Sequence, residues 1–479
     1  MKVPLLLRLP AEILTYIFED VVASCYGAHR ELRKYVLVCH RLTQVVLPLL
    51  YCDVLAGVAS RTALESLFAA LQRRPGCRES VKRLEVQIPD FDLIHRRNFY
   101  IVCDIITCIT NVKALTFCGG WERYPDQTWG LVHRASQSMP TLESLTLSCV
   151  YREGLTVRDI LENVQMPSLR QLELDGVALP TGGRTVGAEQ KANKPSCLPA
   201  STKATAHFST LRIRDYQENS AATRELILWP RALIHFHASL LGGSNPECDL
   251  DLSKLSAWLS AHKDTLETIH IGYIHKFRPD KLFQTRGFNA LERLTLSWWH
   301  IRGYVTLQQD EEHPPFGFTP AHADALLCAP RLTTLELDYG ESGHVLDSCH
   351  VFGEVEARWI RGLAHAARAR QAALQTICVR YRPQLYCLAE ILEYPWDRLT
   401  QLREDLQPFG IGLEYDEPSF SEEEWAQARM QASPPWEAMR GSESPPLNDD
   451  GILLALGMSK NDEPSLEEQE AWECAHKGV

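Results

Sequence analysis

One short signature, apolar-x-x-apolar-x-apolar, recurs ten times between residues 81 and 379 and restricts the fold more than any other feature of the chain. The copies begin as Val81/Leu84/Val86, Val112/Leu115/Phe117, Leu142/Leu145/Leu147, Leu169/Leu172/Leu174 and Phe208/Leu211/Ile213. They continue as Leu233/Phe236/Ala238, Leu266/Ile269/Ile271, Leu291/Leu294/Leu296, Leu332/Leu335/Leu337 and Leu374/Ile377/Val379. Successive first positions lie 25 to 42 residues apart. The last three positions of each copy alternate, as a short strand with one buried face must. Helical spacing fills the intervals. Thr156 is placed to cap a helix through Ile160, Leu161 and Val164, and Ser253 one through Leu255, Trp258, Leu259 and His262. Phe99, Val102, Cys103, Ile106 and Ile109 form a third stripe. Strand, helix, strand, repeated, implies an α/β chain of parallel strands with crossover helices behind them. No unit can bury its own apolar face, so neighbours must stack.

The pattern resembles an irregular leucine-rich repeat. That resemblance implies a solenoid with a parallel strand ladder over residues 75–415. The Asn or Cys of the regular repeat, three residues after the last leucine, is replaced by Val150, Val177, Trp299 and Gly340. Most steps also exceed the usual ~20 to 29 residues. A doubly wound sheet is the rival fold, although no glycine-rich phosphate loop accompanies it. Residues 181–206 are small, polar and without apolar period, and read as a flexible insertion; residues 302–320, with DEEHPPFGFTP, read as a second. Ile411, Leu413 and Tyr415 alternate like a closing strand. Residues 416–479 hold 15 acidic against 4 basic residues, a net −11 of the chain's −12. With their SPP and ESPP runs, they are expected to form a disordered acidic tail. The rest of the chain is nearly neutral, so it offers no whole-molecule field for nucleic acid or an anionic membrane.

Residues 1–60 differ in texture. Pro10 suits a first helical turn, and Leu14, Ile17, Phe18 and Val21 follow at helical spacing, widened by Ile13. A second apolar segment runs through Tyr35, Val36, Leu37, Val38, Cys39, Leu42, Val45 and Val46, and a third follows at Leu47, Leu49, Leu50 and Tyr51. So short a stretch is too small for a self-sufficient core, so it must lean on the repeats or offer a face to another protein. The order LPAEILTYIF, spacer, LVCHRLTQVVLPLLY resembles an F-box motif. Leu9, Pro10, Glu12, Ile13, Leu14, Ile17 and Phe18 match its opening, and Val38, Cys39 and Arg41 its second part; Leu42 stands where the family often has Trp.

An F-box ahead of a leucine-rich repeat is a recurrent arrangement, above all in fungal proteins. The resemblance implies docking of a Skp-type adaptor in a cullin-based SCF ubiquitin ligase, with the repeats choosing a protein substrate. Leu9, Pro10, Ile13, Leu14, Ile17, Phe18, Val38 and Cys39 are the adaptor-binding candidates. Such a chain is not an enzyme; it brings a substrate close to a ubiquitin-charged one. The alternative is a leucine-rich-repeat scaffold with no ligase role, its N-terminal helices merely capping the first repeat.

Alternation also fixes which side chains point away from the core. Thr210/Arg212/Arg214, His235/His237, Thr268/His270 and Arg293/Thr295 make a basic strip, flanked by Glu173, Asp175, Glu336 and Asp338. Arg212, Arg214, His237, His270 and Arg293 are therefore the candidate substrate-binding residues, suited to an acidic or phosphorylated segment. Trp298 and Trp299, directly after a strand, are candidate aromatic anchors at its rim.

Other chemistries find little support. His235-x-His237 and the loose group His344, Cys349 and His350 lack partners at metal-site spacing, so no metal or other cofactor is expected. No GxSxG, GxxxxGK[ST] or HExxH occurs. The 15 cysteines are scattered and never form CxxC, which suits buried thiols in the cytoplasm or nucleus. The opening MKVPLLLRLPAEIL is interrupted by Arg8, Pro10 and Glu12 before signal-peptide length, and no stretch is long enough for a membrane span.

Overall fold

The computed structural model describes residues 8–24, 28–89, 94–149, 154–177, 203–242, 248–274, 282–302, 317–340, 352–383 and 394–431. Most of the expected insertions at 181–206 and 302–320, the His344/Cys349/His350 group and residues 432–479 of the expected tail lie outside the described residues. The chain divides into two compact units, Met1–Pro383 with Glu393–Ser419, and Gln384–Leu392 with Phe420–Val479.

The first unit contains a single 12-stranded parallel sheet whose strands lie in chain order. They are β1 Asp53–Gly57, β2 Arg83–Ile88, β3 Ala114–Gly119, β4 Ser144–Ser148, β5 Gln171–Asp175 and β6 Thr210–Tyr216. β7 His235–Leu241, β8 Thr268–Ile271, β9 Arg293–Ser297, β10 Thr334–Asp338, β11 Thr376–Arg380 and β12 Gly412–Tyr415 complete it. The ten recognised copies are β2 to β11. Ile411, Leu413 and Tyr415 flank or occupy β12, the closing strand. β1 is additional, so the ladder starts at residue 53 and not near 75. Its inward pair, Val54 and Ala56, is too small to stand out in the sequence.

Register is uniform. The second apolar position of every copy sits beside its counterpart, from Val54–Leu84–Leu115 through Phe236–Ile269–Leu294 to Ile377–Leu413, and all are buried. Each fully buried leucine on that row stabilises the fold by about 1.5–3 kcal/mol. A slip of one residue would turn the whole row outward, so the hydrophobic pattern holds the register.

Helices line the buried rows. Three come first: α1 Ala11–Ser24, α2 Ala28–Val36 and α3 His40–Leu50. Between strands lie α4 Arg61–Arg73, α5 Pro75–Ser80, α6 Arg96–Cys108, α7 Pro125–Ser138, α8 Val157–Asn163, α9 Ser220–Leu228 and α10 Leu252–Leu259. Later ones are α11 Trp299–Arg302, α12 Pro320–Leu326, α13 Glu354–Ala369 and α14 Pro395–Leu406. Local signals explain their starts. The Thr156 hydroxyl accepts from Asp159 N at 3.2 Å, as its position suggested. α10 is capped by Asp251, whose carboxylate accepts from Lys254 N at 2.7 Å, two residues ahead of the expected Ser253.

The repeats thus build one continuous sheet in place of the solenoid, with its ladder inside each turn, that the motif suggests. The long steps and the missing Asn or Cys remove that side-chain ladder, and backbone replaces it. The carbonyl just ahead of each strand accepts two consecutive N–H groups from the following unit. Cys52 O accepts from Lys82 and Arg83, Lys82 O from Lys113 and Ala114, and the series runs unbroken to Thr333 O, which accepts from Gln375 and Thr376. These shared carbonyls satisfy the donors where each strand begins. Glu218, between β6 and α9, is 2% exposed and accepts from Val157 N at 3.0 Å, at the start of α8. Gly176, just after β5, has φ +75°, and a Cβ there would run into the Cys149 carbonyl.

In the second unit the described residues form α15, Glu422–Gln431, inside the stretch expected to be disordered. Its start explains the difference. Ser421 Oγ accepts from Glu424 N at 3.2 Å while the Glu424 carboxylate accepts from Ser421 N at 2.7 Å, a reciprocal cap. Glu422, Glu423 and Glu424 then sit in the first turn, where the helix dipole favours negative charge. No helix among the described residues is long and apolar enough to cross a membrane.

Candidate functional site

Two surfaces carry the candidate residues. The first is on α1 to α3, which share a small core of Leu14, Phe18, Leu32, Leu42, Val45 and Val46. α1 follows Pro10, whose carbonyl accepts from Leu14 N at 3.1 Å, so the proline caps the helix from outside. Arg41 on α3 donates from Nη2 to the Leu9 carbonyl at 2.5 Å and fixes the opening Leu-Pro against the third helix. The Thr43 hydroxyl donates to Val36 O at 2.7 Å, holding the α2–α3 turn. The module is attached through α3, which runs into β1 and touches α5.

That core corrects two of the adaptor candidates. Leu14 and Phe18 are buried within the module, Phe18 lying 5.2 Å from the Tyr35 ring, and neither offers a surface. Leu9 and Cys39 are half-buried against the same core. Pro10, Ile13, Ile17 and Val38 are exposed. Ile13 and Ile17, four residues apart, share a face of α1 about 100° around the helix from the one that Leu14 and Phe18 bury. Leu37, unremarked among the candidates, is the most exposed large apolar side chain among the described residues of the module at 87%, with Val38 beside it at 63%. Its signal was present in the sequence: Leu37 and Val38 break the helical period between α2 and α3, so they cannot both turn inward.

The second surface is the open face of the sheet. Register sets Glu173, Arg212, His237, His270, Thr295, Glu336 and Cys378 side by side across β5 to β11. A depression of about 560 Å³ lies over these strands, lined by Arg212, His235, His237, His270, Arg293, Thr295, Glu336 and Arg380 among others. Arg212 and Arg214 are exposed, and neither side chain has an ionic or hydrogen-bonding partner among the described residues. The His237 and His270 rings stack, 3.9 Å between centroids and 18° between planes. His235 Nδ1 lies 2.8 Å from Thr268 Oγ1. On the far side Glu336 bridges Arg293 and Arg380, each at 3.3 Å, and Arg380 also reaches Asp416 at 3.3 Å.

No protein-family model matches this sequence, and no curated protein matches it.

Of the substrate candidates, Arg212, His237, His270 and Arg293 line one depression, and Arg214 is beside it on β6. Trp298 and Trp299 are not at its rim. Trp298 is fully buried, stacked on Tyr339 at 5.2 Å and edge-on to Trp359 at 5.4 Å. Period two, carried one step beyond Leu294 and Leu296, already places residue 298 on the inner side. Trp299 opens α11 and turns in against Tyr273, 6.3 Å away. Arg380 was the residue missed: alternation through Thr376, Cys378 and Arg380 on β11 points it to the open face. No group of three or more His, Cys, Asp or Glu among the described residues is arranged to hold a metal ion. Cys378 lies between Glu336 and Glu414 in the ladder. Burial first, then the Glu414 carboxylate that its Sγ approaches at 3.4 Å, pushes its thiol up to about 12.

Proposed function

We propose that this chain is the substrate-recognition subunit of an SCF-type ubiquitin ligase. The α1–α3 module docks a Skp-type adaptor, and the leucine-rich-repeat-like ladder holds a protein substrate on its open face. The single observation that carries the reading is the apolar surface left on a module whose own core is already complete. Ile13, Ile17, Leu37 and Val38 stay exposed around a filled interior, which is how a partner-facing surface differs from an unfinished core. The LPAEILTYIF…LVCHRL order supports it, as does the Arg41 bond that organises the Leu-Pro opening. The chain-order strands and the shared carbonyl series support a repeating strand-and-helix platform with one open face. Such a subunit performs no bond chemistry. It raises the effective concentration of the bound substrate near a ubiquitin-charged enzyme, in the cytoplasm or nucleus.

The test is co-expression of the full chain with a Skp-type adaptor and a cullin, followed by size-exclusion chromatography. Co-elution that Ile13→Asp with Ile17→Asp abolishes, at unchanged melting temperature, supports the proposal. Failure of the unmodified chain to co-elute leaves the scaffold alternative.

A further inference from the structure

The open-face strip has a border on each side. β5 contributes Glu173 and Asp175, and β10 contributes Glu336 and Asp338. Between them β6 to β9 present Arg212, Arg214 and Arg293, with the stacked His237 and His270 rings as the floor. The depression is lined by three arginines, Arg212, Arg293 and Arg380, against one carboxylate, Glu336. A cationic patch on a chain of net charge −12 is local, so what it attracts must be local too.

The spacing of the cations selects the shape of the ligand. Arg212 and Arg293 are three strand intervals apart and offset along the strand, roughly 15 Å between backbones at ~4.8 Å per interval. A single phosphate needs donors converging on one point, whereas these are separated by two imidazole rings. Extended polypeptide covers such a span in four or five residues, and residues i and i+4 project from the same side. A continuous polyphosphate would overrun the strip into the carboxylates of β5 and β10. Arg293 makes its one side-chain hydrogen bond among the described residues to Glu336, so its guanidinium keeps donors to offer.

We propose that the strip binds an extended acidic segment of a partner polypeptide, laid across β6 to β9, with two carboxylates about four residues apart on Arg212 and Arg293. The inference rests on the ligase reading only in making that partner a substrate; the binding itself needs no adaptor. Neutral or basic residues outside the acidic pair complete the match, because the borders of the strip are negative.

The experiment is a selection from a displayed random dodecapeptide library on the immobilised full chain, without adaptor, at low salt. Enriched sequences should carry Asp or Glu pairs three to five residues apart. Synthetic copies should bind Arg212→Glu/Arg293→Glu about tenfold or more weakly than the unmodified chain. Both arginines are exposed, and a melting curve verifies that the variant keeps its fold. Arg212→Gln/Arg293→Gln gives an intermediate loss if charge is the cause. No enrichment, enrichment without acidic pairs, or acidic peptides that bind the double variant equally well each overturn the proposal. Adaptor co-elution is unaffected by any of these outcomes, so the two readings fail separately.

Discussion

Glu218 offers a stability experiment whose sign is fixed by the structure. The carboxylate is 2% exposed and accepts from the N–H of Val157, linking the end of β6 to the start of α8 sixty-one positions earlier. Burial is the largest influence on it and raises its pKa; bonds from the Val157 and Asn219 backbones pull the other way, and Asp159 adds to the rise. In the unfolded chain a glutamate loses its proton near ~4.3. The folded chain therefore holds more protons above that value, so stability is fully present below it and falls as pH climbs through the raised folded value. Where the two states differ by one proton the slope is about 1.4 kcal/mol per pH unit. Glu218→Gln retains an acceptor for Val157 N but does not titrate. Its stability relative to the unmodified chain should rise across that window and level off beyond it. Relative to Glu218→Gln, Glu218→Ala leaves a buried N–H unsatisfied, costing about 1–3 kcal/mol, plus about 1 kcal/mol of lost methylene burial, at every pH. Urea unfolding followed by tryptophan fluorescence, from about pH 4 to 8, measures all three chains. Parallel curves for Glu218→Gln and the unmodified protein would refute the assignment of a raised carboxyl.

Three other outcomes are expected. Leu37→Asp should weaken adaptor binding by about 2 kcal/mol or more, roughly 30-fold by calorimetry, with no change in melting, whereas Leu14→Ala should lower stability by about 2–5 kcal/mol. Gly176→Ala, at positive φ and against the Cys149 carbonyl, should cost about 2 kcal/mol or more in thermal denaturation. Cys118 and Cys378, pushed up to about 11 and about 12 chiefly by burial, should resist alkylation in the native protein at pH 8 and react after denaturation, as read by mass spectrometry of the labelled peptides.

The sheet was readable because its signal repeats. A single LxxLxL segment is uninformative, but Leu145, Leu172 and Leu294 recur in contexts that differ in every other respect. The strands with weak signals were those with little to bury, such as Val54 and Ala56 in β1. Helix starts were readable where one polar side chain decides them, as at Thr156. At Ser253 two capping residue types stood close together, and the carboxylate of Asp251 prevailed. In the module, helical spacing identified an apolar stripe without saying which part of it faced inward. Leu14 and Phe18 go in because α2 and α3 close over them, and that depends on residues far along the chain. Trp298 shows the opposite fault: the period-two signal was sufficient and was not carried past the end of β9.

Each strand of the sheet bonds only to the strands made immediately before and after it. In a chain that leaves the ribosome amino end first, every new strand meets an edge that already exists and becomes the edge for its successor. Each new strand after the first therefore docks on a neighbour already made, which keeps the sheet's pairings close in sequence and shortens the search for them.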